Sequence, residues 1–176
     1  MKTAQPLIVT AKICEADLQP FDELRKRHFP AERNFLRAHM TMFHRLPGEH
    51  MDRVEECLRD VAAGHGRPIN PTIDGVRHLG AGVAFTVRSH DLQQVHGDLK
   101  SLFRPWLGGQ DMQKWQPHIT IQNKVTKLAA DTLYKDLTSS FQPSSIEVMG
   151  LDLWRYIGGP WQHCTTFLFA DLEPDQ

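Results

Sequence analysis

Apolar and polar positions along this chain follow two periods in turn, alternation in strands and a repeat of about 3.6 in helices. Leu7–Ile13 is an apolar run suited to an opening strand. Leu18–His28 reads as a short helix stopped at Pro30, which cannot continue the hydrogen-bond ladder. His39-Met40-Thr41-Met42 then alternates and predicts a strand, with His39 and Thr41 on one face and Met40 and Met42 on the other. Helical spacing returns from about Glu49 to Ala63, where Val54, Leu58 and Val61 lie opposite Glu55, Glu56 and Arg59. Strands follow at about Ile69–Leu79 and Val83–Arg88, parted by Gly80-Ala81-Gly82. Asp91–Phe103 predicts a helix ended by Pro105, and Trp106–Trp115 links it to a second alternating stretch, His118-Ile119-Thr120-Ile121. A helix from about Lys127 to Phe141 comes next, with Thr126 as N-cap and Leu128, Leu133, Leu137 and Phe141 as its stripe. Two last strands, about Ser145–Ile157 and Gln162–Ala170, are parted by Gly158-Gly159-Pro160.

The order strand, helix, strand, strand therefore occurs twice, over about residues 35–90 and 114–170. Gly75 and Gly150 fall at comparable points of the two copies, and His39 and His118 sit on the same element of each. The repeat predicts two lobes sharing one core, within a single domain over residues 1–176. A third His-x-Thr, His163-Cys164-Thr165, has no counterpart in the first copy and is read as structural or surface. The matched pair carries the chemistry, because packing alone does not require the same polar His-Thr at equivalent positions of two halves.

A chain of 176 residues, 40% hydrophobic and 23% charged, can build a real core. It has no apolar run long enough to span a membrane, and Met1–Pro6 lacks the apolar core of a signal peptide. Three well-separated cysteines argue against a disulfide framework and suit a reducing cytoplasm. No disordered tail is expected beyond Glu173–Gln176. Net charge is −1, so nothing global marks a nucleic-acid binder. Locally, Arg25, Lys26, Arg27, Arg33, Arg37 and Arg45 gather around the first His strand against only Glu32, either a solvated basic face or a phosphate-steering patch.

Histidine titrates near neutrality and serves as acid or base. Two strands facing one another would bring His39, His118, Thr41 and Thr120 into one cleft. A metal site is the rival reading, since His39, His44 and His50 are close in sequence. Strict alternation sets His39 and His44 on opposite faces, and no Asp, Glu or Cys nearby shares the face of His39 and His118. No Cys-x-x-Cys or His-Glu-x-x-His is present, so neither metal nor cofactor is expected. Alternation also extends the cleft to Phe43, which could stack on a base or belong to the core, and to Gln122, which could bond phosphate or sugar. Trp161, beside the Gly-Gly-Pro turn, is a further lining candidate.

The paired motifs, Phe29–Ala38 before the first, Trp115-Gln116-Pro117 before the second and Tyr156–Trp161 near the end resemble the 2H phosphoesterase superfamily, and within it the 2′-5′ RNA ligase-like proteins. The resemblance runs from about residue 7 to 170. It implies a two-lobed, pseudo-symmetric α+β fold, with antiparallel sheets lining a central cleft and helices outside. It also implies metal-free chemistry on 2′,3′-cyclic phosphates or 2′-5′ phosphodiester bonds of RNA or nucleotides. His39 and His118 would be the acid–base pair, and Thr41 and Thr120 would bind the phosphate oxygens. Near-neutral charge favours an RNA end or small nucleotide over a long RNA, and no obligate protein partner is evident, so a monomer is expected. The alternatives are a non-catalytic RNA- or nucleotide-binding module using the same cleft, and a phosphodiesterase for a non-RNA cyclic phosphate.

Overall fold

A computed structural model describes residues 3–170; the predicted tail at Glu173–Gln176 lies outside them. The elements run β1 (Leu7–Ile13), α1 (Glu15–His28), β2 (Thr41–Leu46), α2 (Met51–His65), β3 (Thr72–His78), β4 (Val83–Arg88), α3 (His90–Phe103), β5 (His118–Gln122), α4 (Lys127–Ser140), β6 (Ser144–Ser145), β7 (Val148–Tyr156) and β8 (Trp161–Leu168). All strand pairings are antiparallel, in two four-stranded sheets of order β2-β1-β7-β8 and β5-β4-β3-β6. The fold is α+β, with the helices packed outside the sheets: α1 on β5, α2 on β7 and β8, α4 on β3 and β4, and α3 on α2.

The sheets do not coincide with the two sequence copies. The strand pair that follows the first His motif, β3 and β4, joins the second motif's strand β5. The pair that follows the second, β7 and β8, joins the first motif's strand β2 through β1. Each half thus completes the other's sheet, and one hydrophobic cluster draws on both, from Leu7 and Val9 through Phe85 and Ile119 to Leu151 and Phe167.

Local signals account for most element ends. Ser89 Oγ accepts the Leu92 amide at 3.1 Å and Thr126 Oγ1 accepts that of Ala129 at 3.2 Å, so both helices begin on side-chain caps. Gly66 ends α2 in the left-handed conformation, at φ 75°. Helix α1 starts before the expected Leu18 and carries Pro20 within it. Asp17, in its first turn, instead ties the helix to β7's approach by accepting the Glu147 amide at 2.7 Å. The expected strand over Ser145–Ile157 is divided, and Leu128, expected in α4's apolar stripe, is 76% exposed.

The strand alternation breaks at one equivalent place in each sheet, and this shapes the site. In β2, Thr41 and Phe43 pair with the adjacent residues Thr10 and Val9, so β2 carries an extra residue there. In β5, Thr120 and Gln122 pair with the adjacent Ala84 and Val83. Each bulge turns two successive side chains inward, Met42 with Phe43 and Ile121 with Gln122. Gly82 permits the second bulge, because a Cβ there would lie 1.9 Å from the Gln122 carbonyl oxygen.

Candidate active site

Both motif histidines are held in the same way. His39 Nδ1–H donates to the Arg37 carbonyl at 2.7 Å, and His118 Nδ1–H donates to the Gln116 carbonyl at 2.8 Å. A carbonyl only accepts, so the bond fixes the tautomer of the neutral ring and leaves Nε2 as the free nitrogen. His39 lies just ahead of β2 rather than within it, while His118 opens β5. The loop ahead of His39 is anchored by buried Asp22, whose Oδ1 accepts the Ala38 amide at 2.8 Å and whose Oδ2 takes Arg37 Nε at 3.2 Å. Burial alone would raise the Asp22 pKa, but the Ala38 amide, Arg37 and Lys26 outweigh it and hold the carboxyl below its usual range.

Two cavities open along these segments, and each takes its histidine from one motif and its threonine from the other. The first, of about 260 Å³, is lined by His118 and Thr41, with His44, Arg77, Asp111 and Lys114. The second, of about 430 Å³, is lined by His39 and Thr120, with Asn123, Arg25, Arg33 and Tyr156. Loss of hydration pushes both motif histidines below the usual imidazole pKa. Their carbonyl partners oppose this, while nearby basic groups add to it: Arg25 first, then His118 and His44, for His39, and Arg77, then His44, for His118. An imidazole with a free Nε2 can take or give a proton, and the threonine hydroxyl in the same cavity can donate to an oxygen where charge develops.

The bulges move three predicted positions. Phe43 does not face the cleft; it is fully buried and stacks on His96 at 4.6 Å between ring centroids. Gln122 is 5% exposed, with its Oε1 buried and without a hydrogen-bond partner. His44 moves the other way. The extra residue returns it to Thr41's side, where strict alternation had put it on the face opposite His39. Asn123, three residues beyond Thr120, comes to the second cavity by the same shift. Trp161 stands against His39, its ring centroid 4.8 Å away, and beyond it lies an apolar hollow lined by Trp154, Phe35 and Leu36.

His163 is occupied elsewhere. Its Nε2 bonds Asp152 and Thr166, each at 3.0 Å, and its ring meets Trp154 edge-on. The basic cluster also disperses: Arg37 holds Glu15 and Asp22, and Lys26 pairs with Asp22. Arg25 is buried, donating to Asn34 and to the Thr120 carbonyl beneath the second His strand while stacking on Phe29. Among the described residues, no three His, Cys, Asp or Glu side chains are grouped to hold a metal ion. No described helix is long and apolar enough to cross a membrane.

A family model for the 2′-5′ RNA ligase superfamily matches residues 13–160. The chain belongs to that superfamily. Solved structures share the superfamily-like fold over nearly the whole chain. A crystal structure described as a phosphoesterase is 18% identical with a TM-score of 0.61, covering 95% of this chain and 99% of its own. TT0787 of Thermus thermophilus is 14% identical with a TM-score of 0.66, covering 95% and 100%. LigT of E. coli complexed with 3′-AMP is 16% identical with a TM-score of 0.63, covering 95% and 99%. At these identities the likeness is one of fold. A search of curated proteins finds no significant sequence match.

Asp111 and His96 have no role in the sequence pattern, while His44 enters only the rival metal reading and Trp115 only the linking segment and the family resemblance. Asp111 comes from the α3–β5 connection and reaches β2, where it accepts the His44 and Arg45 amides and His44 Nδ1–H at 2.9–3.0 Å. His96 lies flat between Phe43 and Trp115, with Trp115 4.3 Å away, and donates Nε2–H to the Met42 carbonyl at 3.1 Å. Trp115 Nε1 in turn donates to the Thr41 carbonyl at 3.0 Å. This stack is the floor on which the first cavity rests. Nothing local in sequence signals these hydrogen bonds, which span 54 to 74 positions.

Proposed function

We propose that the chain is a phosphoesterase acting on 2′,3′-cyclic phosphates or 2′-5′ phosphodiester bonds of RNA ends or nucleotides, by general acid–base catalysis through His39 and His118. The observation that supports this most is the matched tautomer lock: two histidines, one from each half, each with Nδ1–H tied to the carbonyl two residues earlier and Nε2 left free. In-line displacement at phosphorus needs a base on the entering oxygen and an acid on the leaving one. Neutral Nε2 of one ring accepts the proton of water or a ribose hydroxyl, and protonated Nε2 of the other delivers a proton to the departing ribose oxygen. Thr41 and Thr120 hydroxyls donate to the non-bridging oxygens as charge accumulates there. After a hydrolytic turnover the base ring holds the proton that the acid ring gave up, and proton exchange with water restores the starting state of the pair.

LigT, which has this fold, is solved with 3′-AMP, a nucleotide monophosphate, which agrees with a nucleotide-sized substrate here. Trp161 and exposed Phe35 flank His39 and offer aromatic faces to a nucleobase, whereas Phe43, for which stacking was one alternative, takes the other and belongs to the core. Cys14, Cys57 and Cys164 are all free thiols, consistent with a reducing compartment. The test is turnover of nucleoside 2′,3′-cyclic phosphates and 2′-5′ dinucleotides, with and without EDTA. Formation of a single nucleoside monophosphate isomer from the cyclic phosphates, by an activity that survives chelation, supports the proposal. Binding without turnover of any member of the panel would replace it with a nucleotide-binding module.

A further inference from the structure

Four histidines line the two cavities: His39 and His118 carry the proton transfers above, His96 belongs to the floor, and His44 has no part in them, yet its position is firmly set. Buried Asp111 gives its carboxylate to the His44 amide, the Arg45 amide and His44 Nδ1–H together. A carboxylate only accepts, so Nδ1 must carry hydrogen and Nε2 is the atom left to the cavity. The connection that supplies Asp111 is itself pinned, since Lys100 Nζ donates to the Met112 and Gln113 carbonyls at 3.1 and 3.2 Å. Arg77 and Lys114 line the same cavity, and neither belongs to any ion pair among the described residues. The second cavity also has basic side chains, Arg33, Lys124 and the buried Arg25, but there the pseudo-equivalent of His44 is the neutral Asn123, which makes no hydrogen bond to a carboxylate among the described residues.

We propose that the His118-side cavity is a second-phosphate subsite, in which Arg77, Lys114 and Nε2 of His44 hold a phosphoryl group other than the one being cleaved. This rests on the phosphoesterase reading and narrows its substrate class to cyclic phosphates that carry a further phosphate. A protonated His44 donates from both nitrogens, Nδ1 to Asp111 and Nε2 to the anion, so its fixed ring becomes an oriented cationic donor. Arg77 adds a planar fork matched to phosphate oxygens, and Lys114 adds a mobile charge at the rim. The cavity of about 260 Å³ accommodates a phosphoryl group beside His118 and Thr41. The further phosphate has two sources, a terminal 5′-phosphate on the same nucleotide or the internal phosphodiester of a preceding one.

The experiment compares kcat/KM of the full chain for three probes: adenosine 2′,3′-cyclic phosphate, the same compound with a 5′-phosphate, and a 5′-hydroxyl dinucleotide ending in a 2′,3′-cyclic phosphate. The subsite predicts a preference of about tenfold or more for one phosphorylated probe, mainly through KM, and the preferred probe identifies the source. R77A and H44Q should each remove most of that preference. Absence of preference in the wild type, or equal fold-losses on all three probes in both variants, would overturn the subsite. A second arm needs no turnover. In ¹⁵N-histidine spectra, 5′-AMP should shift the His44 Nε2 resonance saturably, and R77A should weaken the binding. An unmoved His44 resonance overturns the subsite even in a protein that hydrolyses the cyclic phosphates. A shifted one upholds it even if all three probes resist hydrolysis, in which case the phosphoesterase reading alone fails.

Discussion

Acidification should weaken the fold through the floor of the first cavity. His96 is 4% exposed between Phe43 and Trp115, and burial lowers its pKa from the ordinary 6.5 to about 4 despite the bond to the Met42 carbonyl. In the unfolded chain the ring takes a proton near pH 6.5, while the folded ring resists until about pH 4. The unfolded state therefore binds more protons across that window, and stability falls as pH falls through it, levelling once the folded ring also protonates. The difference amounts to about 2 kcal/mol between neutral pH and about pH 4.5, a sizeable part of a typical folding free energy. The assay is urea unfolding at several pH values for the wild type and for His96→Gln, which can still donate to Met42 but does not titrate. The variant should be less stable at neutral pH, because it gives up the aromatic stack, yet should lose about 2 kcal/mol less on acidification. Parallel pH dependence in the two proteins would refute the neutral, buried assignment of His96.

Three other outcomes follow. Because hydration loss lowers both His39 and His118, the singly protonated pair of the free enzyme is most populated on the acid side of the ordinary imidazole pKa, and the bell in kcat/KM should peak there. Bound substrate phosphate favours the protonated ring, so the kcat profile should lie at higher pH; a kcat/KM that climbs steadily to pH 9 contradicts this. Gly82→Ala places a Cβ 1.9 Å from the Gln122 carbonyl oxygen, so it should destabilise by about 2 kcal/mol or more and displace β5, measurable as a lowered Tm together with reduced activity. His163→Asn removes the bond to buried Asp152 and the edge contact with Trp154, so it should lower Tm by a few degrees while turnover changes by less than about threefold.

The sequence pattern located most elements to within a few residues, because caps, glycines and prolines mark their ends locally. It also brought out the two His-Thr pairs, since a repeated polar pair on an otherwise apolar strand stands out against packing needs. Pattern reading failed where geometry depends on a partner strand. The bulges beyond Thr41 and Thr120 are visible only in their pairing with β1 and β4, and they send Phe43 and Gln122 inward while bringing His44 and Asn123 to the cavities. The exchange of strand pairs between the halves has the same origin, as does the reach of Asp111 from a loop to β2. The crowding of arginines around the first motif was legible, but their separate fates were not, because Glu15, Asp22 and Thr120 meet them only in the folded chain.

The central claim is that His39 and His118 act as one proton-transfer pair, and single-turnover rates on a nucleoside 2′,3′-cyclic phosphate test it most directly. His39→Asn and His118→Asn should each slow the chemical step by about a hundredfold or more. The double variant should be scarcely slower than the worse single one, because residues acting as a unit do not lose activity additively. Losses that multiply in the double variant, or a single variant that retains near wild-type rate with its fold intact, would contradict the paired mechanism.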